Sequence, residues 1–410
     1  MMANKSEALR AARLFEFYTK YVWPLHRILV KNEIAIRCSH CAASEKMIPL
    51  TATGLCQLCQ DLSPGVQSSA SIAAAPSSAQ RSSNQPTQDL EQKFEKQDSG
   101  ISNTEALNLI LTKAQGTGKR GYDALVLFSG GKDSTYLIRR IQEEQPKLRM
   151  LSFTIDNGFM SPVAKENIQE LIPRLAIDHV FVTPRKEFYV KLFRYAITHL
   201  NSEGGSGTVD FSDGEFMLDT ARRIAAEKQI PLILCGYSKY QVQNGLNLKS
   251  FESPPSRERT DRLSTAGLPL GDIFSPEEVE MWWHGTRWPE NQVARLLFPL
   301  YAWNLEEIEI KQKVASWNLL NKKNHSPIVT NHQLIPLLGV VDVHKLGFSS
   351  FEIEFCRMIR EGKARRCDWQ PVFELLEYTS KTGFFVKPTV MQSLSDLNLN
   401  LEDVGIRFDR

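Results

Sequence analysis

The stretch LVLFSGGKDSTYLIRRI, residues 125–141, decides the fold. An apolar, strand-like run ends at Phe128, Ser129-Gly130-Gly131 turns the chain, and a helical pattern begins at Lys132. The turn gives up side chains where a compact protein normally wants them. What it gains is backbone N–H groups pointing outward at a helix N-terminus, a positive concavity suited to phosphate. Lys132 adds a mobile charge, and Ser134 and Thr135 add hydroxyl donors. Asp133 repels phosphate unless it caps the helix amides or holds a Mg²⁺ ion. A tight strand-to-helix turn capped by Asp133 or Ser129 is the bland alternative, and a lone Gly-Gly would favour it.

Working outward, short and nearly all-apolar runs recur at 124–128, 151–155, 180–183 and 232–235, each followed by a helix-like segment. That alternation predicts parallel strands covered on both faces, a doubly wound α/β sheet. The turn 154–158, Thr154-Ile155-Asp156-Asn157-Gly158, and the turn Gly236-Tyr237-Ser238 then also fall at C-terminal strand ends, where open α/β sheets bind ligands. After 305 the pattern is mostly helical, with helices predicted at 305–317, 333–346, 350–361 and 369–379. Ahead of the sheet, residues 1–35 suit an amphipathic helix broken by Pro24. The domains expected are 1–62 (N-terminal helix and cysteine ribbon), 63–100 (a Ser, Ala, Gln and Pro rich linker), 101–245 (the nucleotide-binding sheet) and 246–410 (a lid loop and a helical substrate-binding region).

The 410 residues carry a net charge of +2, far from the basic excess of phosphate-tracking proteins, so charge does not support a nucleic-acid partner. No apolar run is long enough to cross a bilayer and the start lacks a secretory core, so a cytoplasmic protein without a membrane partner is expected. Seven cysteines without secretory features favour metal or catalysis over disulfides. Cys38-x-x-Cys41 and Cys56-x-x-Cys59, fourteen residues apart, have the spacing of a closed tetrahedral Cys₄ site. With no open coordination position and little apolar core in the segment, the site reads as structural zinc, with iron the less favoured metal.

Ser129-Gly130-Gly131-Lys132-Asp133-Ser134 resembles the SGGxDS PP-loop motif of the ATP pyrophosphatases, at the place after the first strand where that family has it. The resemblance implies that the loop holds the pyrophosphate of ATP while a substrate oxygen attacks the α-phosphate, forming an adenylate and releasing pyrophosphate. It implies ATP contacts from Ser129, Gly130, Gly131, Lys132, Asp133, Ser134 and Thr135, from Thr154, Asp156 and Gly158, and from Gly236 and Ser238. Lys132, Asp133 and Cys235 are the catalytic candidates, and ATP, Mg²⁺ and Zn²⁺ the cofactors. Tyr237 stands where many relatives have His. A zinc ribbon ahead of the motif occurs both in tRNA thiolases and in N-acetyl sugar amidotransferases. VDFSDGEFMLDTARRIA, 209–225, lacks the cysteines of the cluster-bearing thiolases, while the order of the tail is similar to the amidotransferases. The implied partners are a small-molecule substrate such as a nucleotide-linked sugar, a glutaminase subunit or a sulfur donor, and a second copy in a homo-oligomer. Cys235 keeps sulfur insertion open as the rival chemistry, with Cys235 as carrier, against the plainer reading of a buried strand residue. A non-catalytic nucleotide sensor is the second rival. Lys239, Arg257, Arg259, Arg262, Trp282, Trp283, Trp288, His325 and Lys345 are weaker substrate-contact candidates.

Overall fold

The structure, a computed structural model, describes residues 10, 13–62, 101–319 and 332–409; the linker 63–100 and His325 lie outside the described residues. Five parallel strands form the main sheet: β1 (Ala124–Leu127), β2 (Met150–Ile155), β3 (Asp178–Val182), β4 (Leu232–Leu234) and, after a two-stranded hairpin of β5 (Ser264–Thr265) and β6 (Leu268–Pro269), β7 (Arg295–Leu297). Their order is β3-β2-β1-β4-β7. The expected α/β class is the one observed. β1, β2 and β4 are buried along their whole length, which is why they read as continuous apolar runs, whereas β3 is an edge strand with exposed positions.

The longer helices are α1 (Asn103–Ala114), α2 (Lys132–Glu144), α3 (Pro162–Leu175), α4 (Lys186–Thr198), α5 (Phe211–Lys228), α6 (Glu307–Ser316), α7 (Ile335–Leu346), α8 (Glu352–Arg360), α9 (Arg366–Thr382) and α10 (Lys387–Asp396). Strand order proceeds from β1 outward through β2 to β3, then restarts on the other side with β4 and β7. Right-handed crossovers in opposite directions put their helices on opposite faces and open a crevice between β1 and β4.

Two features differ from the sequence reading. The sheet continues past residue 245, because β7 pairs with β4 (Leu232 beside Arg295). Pro24 does not break the N-terminal helix: a π-helical turn at Tyr18–Val22 leads into Trp23–Leu29, so Pro24 sits in a first turn, where its missing N–H costs nothing. The aromatic cluster packs as core, the usual outcome for aromatic residues at such spacing, with Trp282 and Trp283 buried and Trp283 stacked on Trp288 at 6.1 Å.

The N-terminal ends of β1 and β2 are held by one carboxylate. Asp123 is fully buried and accepts bonds from the Gly118 N–H (3.0 Å) and the Arg149 guanidinium (2.6 Å). Burial pushes its carboxyl up, but Arg149 and the amides outweigh it and hold the pKa at about 2, against an ordinary 3.8. A depressed pKa contributes stability above the unfolded value and loses it as pH falls through the folded one. Stability should therefore decline between pH 4 and pH 2, and Asp123→Asn should remove about 1 kcal/mol at pH 7 together with that part of the acid dependence, the exposed side of Arg149 limiting the effect. Urea unfolding midpoints of both proteins at several pH values give the comparison.

Candidate functional site

The turn after β1 is shaped by a contact that only glycine permits. Gly130 has φ +69°, and a Cβ there would lie 2.6 Å from Cγ1 of Ile168 in α3. The loop therefore lies flat against α3. Gly131 is extended and caps α2 without any side-chain hydrogen bond, so the first-turn amides of α2 are left to a ligand. Ser134 braces the turn: its hydroxyl accepts from the Ser129 N–H (3.3 Å), contacts the Ser129 hydroxyl (3.2 Å) and donates to the Gly131 carbonyl (3.3 Å). Thr135 is wholly buried, and Thr154 donates its hydroxyl to the Phe128 carbonyl, tying the ends of β1 and β2. The Ser134 and Thr154 hydroxyls thus brace the loop, while the buried Thr135 hydroxyl has no hydrogen-bond partner among the described residues.

Lys132 Nζ lies 2.8 Å from Asp133 and 3.5 Å from Glu307 at the start of α6. Burial pulls its pKa down, but the two carboxylates more than offset this and raise it, so the side chain is a secure cation. Asp156 pairs with Lys165 (2.6 Å) and accepts from the Gly158 N–H (3.0 Å), which fixes the turn after β2, where Gly158 has φ +78°. Gly236 stands across the crevice, its Cβ position 3.5 Å from Ser134 Cα, so the turns after β1 and β4 meet at the place where the strand order reverses. Ser238 exchanges bonds with Gln241 at 2.9 and 3.3 Å.

Cys235 is buried at the end of β4, and burial pushes its thiol up to about 12. The side chain packs in the core around the sheet. Arg262, expected in a lid, is committed to Glu215 and Asp219 (2.5 and 2.9 Å), and Arg257 bonds the Leu246 carbonyl. Lys345 approaches the Ile197 carbonyl at 3.5 Å.

The segment without cysteines supplies what the sequence reading missed. Asp210 and Asp213, one turn apart where α5 begins, are drawn to the same region as Asn157, whose amide donates to Asp213 at 3.0 Å. Burial raises Asp213 to about 6, tempered by Asn157 and Tyr189. Burial, with the charges of Asp213 and Asp342, raises Asp210 to about 8. The Tyr237 hydroxyl faces the same turn, 2.9 Å from the Cβ position of Gly214. The only sequence signal for this group was the i, i+3 spacing of two aspartates, which is too common to single out.

The sulfurs of Cys38, Cys41, Cys56 and Cys59 are all buried and lie within 4.8 Å of one another, forming a metal-binding Cys₄ site. The two knuckles are joined by the Ser39 N–H on the Gly54 carbonyl (2.9 Å), with Gly54 at φ +76°. Arg360 donates to Cys41 (3.4 Å) and the Cys56 N–H to Cys38 (3.3 Å). Cys356 packs in the same cluster with Ile359 and Phe373, so the ribbon is seated on α8 and α9, while Cys367 is exposed. Among the described residues the set is four sulfurs, with the His40 Nδ1 3.4 Å from Cys59 Sγ beside it, and four thiolates fit a closed structural centre.

No protein-family model and no characterised protein sequence matches the chain. Among solved structures it is similar to a U34-tRNA thiolase from Methanococcus maripaludis with its 4Fe-4S cluster (11% identity, 73% of this chain, 82% of that chain, TM-score 0.34). It is also similar to an NMN synthetase from Francisella tularensis (11% identity, 73% and 96%, TM-score 0.34) and to an NH3-dependent NAD synthetase from Campylobacter jejuni (11% identity, 68% and 94%, TM-score 0.33). At these values none of the similarities bears on the reaction of this chain, which is read below from the site's own geometry.

Gly130→Ala should impose both the left-handed backbone strain and the Ile168 clash, costing about 1–3 kcal/mol and weakening ATP uptake measured by calorimetry. Gly362→Ala, at φ +72° with nothing within 4 Å of the Cβ position, carries the backbone strain alone and should leave ATP uptake unchanged.

Proposed function

We propose that the chain is an ATP-dependent enzyme that adenylates an oxygen of a carbonyl, amide or carboxyl substrate, releases pyrophosphate, and then exchanges AMP for a nitrogen nucleophile, in the manner of an N-acetyl sugar amidotransferase. One observation carries this reading: the Ser129-Gly130-Gly131 turn presents uncapped α2 amides at the crevice between β1 and β4, with Lys132 beside them. The amides and Lys132 hold the leaving pyrophosphate and neutralise the charge that grows as the bond to the α-phosphorus breaks, so catalysis is mainly positioning and electrostatics. A Mg²⁺ ion would be held on the phosphates with help from Asp133, and when bound it supplies further neutralisation. Zn²⁺ in the Cys₄ site is structural.

Asp210 suits the second half of the reaction. A carboxyl raised to about 8 exchanges protons near neutrality and can take one from the attacking nitrogen. Cys235, held as a thiol, weighs against the sulfur-transfer alternative.

Incubation with α-labelled ATP and candidate acceptors tests the proposal. AMP and pyrophosphate are the expected products, and ADP with orthophosphate would refute it. Lys132→Ala should lower the rate about a hundredfold or more with metal content intact.

Because only the ionised Asp210 accepts a proton, the amine-dependent rate should rise with pH through about 8. Asp210→Asn should flatten that limb of the pH-rate profile while adenylation itself, followed by pyrophosphate release, persists.

A further inference from the structure

We infer that the N-terminal helix is a docking face for an anionic lipid surface. Residues 13–29 are helical. One side is seated on the C-terminal helices: Trp23 is fully buried with Leu375 and Tyr378, and its indole donates to Glu374 at 3.1 Å. The other side is left bare. Leu14, Phe17, Tyr21, Leu25, Ile28 and Leu29 are all more than half exposed, reaching 72% at Leu25 and 84% at Leu29. Apolar side chains scattered singly on a surface are ordinary, but six along one helix face are not. The turn beside the helix extends the face. Phe384 and Phe385 pack edge-on against Tyr18 at 5.7 and 5.1 Å, yet both remain exposed. Phe385 keeps φ +63°, a conformation that a bulky residue adopts only at a cost.

Charge decides the occupant. Arg10, Arg13, Lys20 and Lys31 are exposed along the same segment, and none has a carboxylate partner among the described residues. Glu16 is the one acid between residues 10 and 29 and it is half-buried. Nearby carboxylates are taken: Glu374 by Trp23 and Arg27, Glu377 by Arg37 and Lys381. Two copies of this face set against each other would bring these cations together, with Glu16 the one acid among the described residues 10–29. An anionic lipid surface receives both the apolar stripe and the unpaired cations. No helix among the described residues is long and apolar enough to cross a membrane, so the contact is one of lying on the surface. The inference is independent of the nucleotide reading.

The test uses the full-length protein, sedimented with vesicles of phosphatidylcholine with and without phosphatidylglycerol, and light scattering without vesicles. Binding to the phosphatidylglycerol vesicles alone, weakened by salt, is expected. Leu25→Glu with Ile28→Glu, and separately Arg13→Glu with Lys20→Glu, should each weaken it by about tenfold or more while ATP uptake and helix content stay unchanged. Binding to neither vesicle, or equally to both, overturns the inference. So does a wild-type dimer that Leu25→Glu with Ile28→Glu converts to monomer without any vesicle binding, because the face then belongs to a second copy.

Discussion

The close approach of Gly130 to Ile168 governs the site. With 2.6 Å between a would-be Cβ and the Ile168 side chain, the loop can lie flat on α3 only while that Cβ is missing. Lying flat brings Ser129 and Ser134 into mutual contact and leaves the first amides of α2 uncapped at the strand ends. The same turn meets Gly236 from β4, so the crevice at the change of strand order is lined by backbone rather than side chains. A phosphate chain needs that: oxygens spread over several ångströms are better met by successive N–H groups than by one mobile side chain.

A second constraint runs through the other end of the molecule. Arg37, fully buried just ahead of the first knuckle, is shared between Glu352 of α8 (2.5 Å) and Glu377 of α9 (3.0 Å). Such a buried set contributes less to stability than to register, since either acid left alone would be an uncompensated buried charge. It locates the ribbon against helices that also feel the site, because burial and the charges of Arg357, Glu307, Lys132 and Asp133 all act on Glu354 of α8. One helix therefore touches the Cys₄ cluster through Cys356 and stands in the field of Lys132 through Glu354.

What was legible in the sequence follows from the range of the signals. The strand-turn-helix at 125–141 is local, and so is the Cys-x-x-Cys spacing; both are present in the structure as read, as are α6 to α9 to within a few residues at their starts. β7 was missed because three residues, Arg295-Leu296-Leu297, carry no period, and only pairing with β4 makes them a strand. The sequence does not say which way Ser134, Thr135 and Thr154 point, because it gives residue type but not direction. Asp210 and Asp213 became visible only when α5 placed them against Asn157.

The near-neutral composition conceals a division of charge that bears on the chemistry. Acids gather at the ligand face, where Asp133, Asp156, Asp210 and Asp213 stand near a cradle made for anions, while unpaired cations stand on the N-terminal helix. Four full negative charges would oppose phosphate entry. Burial and mutual repulsion relieve this by keeping Asp210 protonated at neutral pH, and Lys132 and Lys165 compensate Asp133 and Asp156. The crevice is thus less negative than its residue list, and ionisation of Asp210 as pH rises towards 8 is the part of that balance able to change.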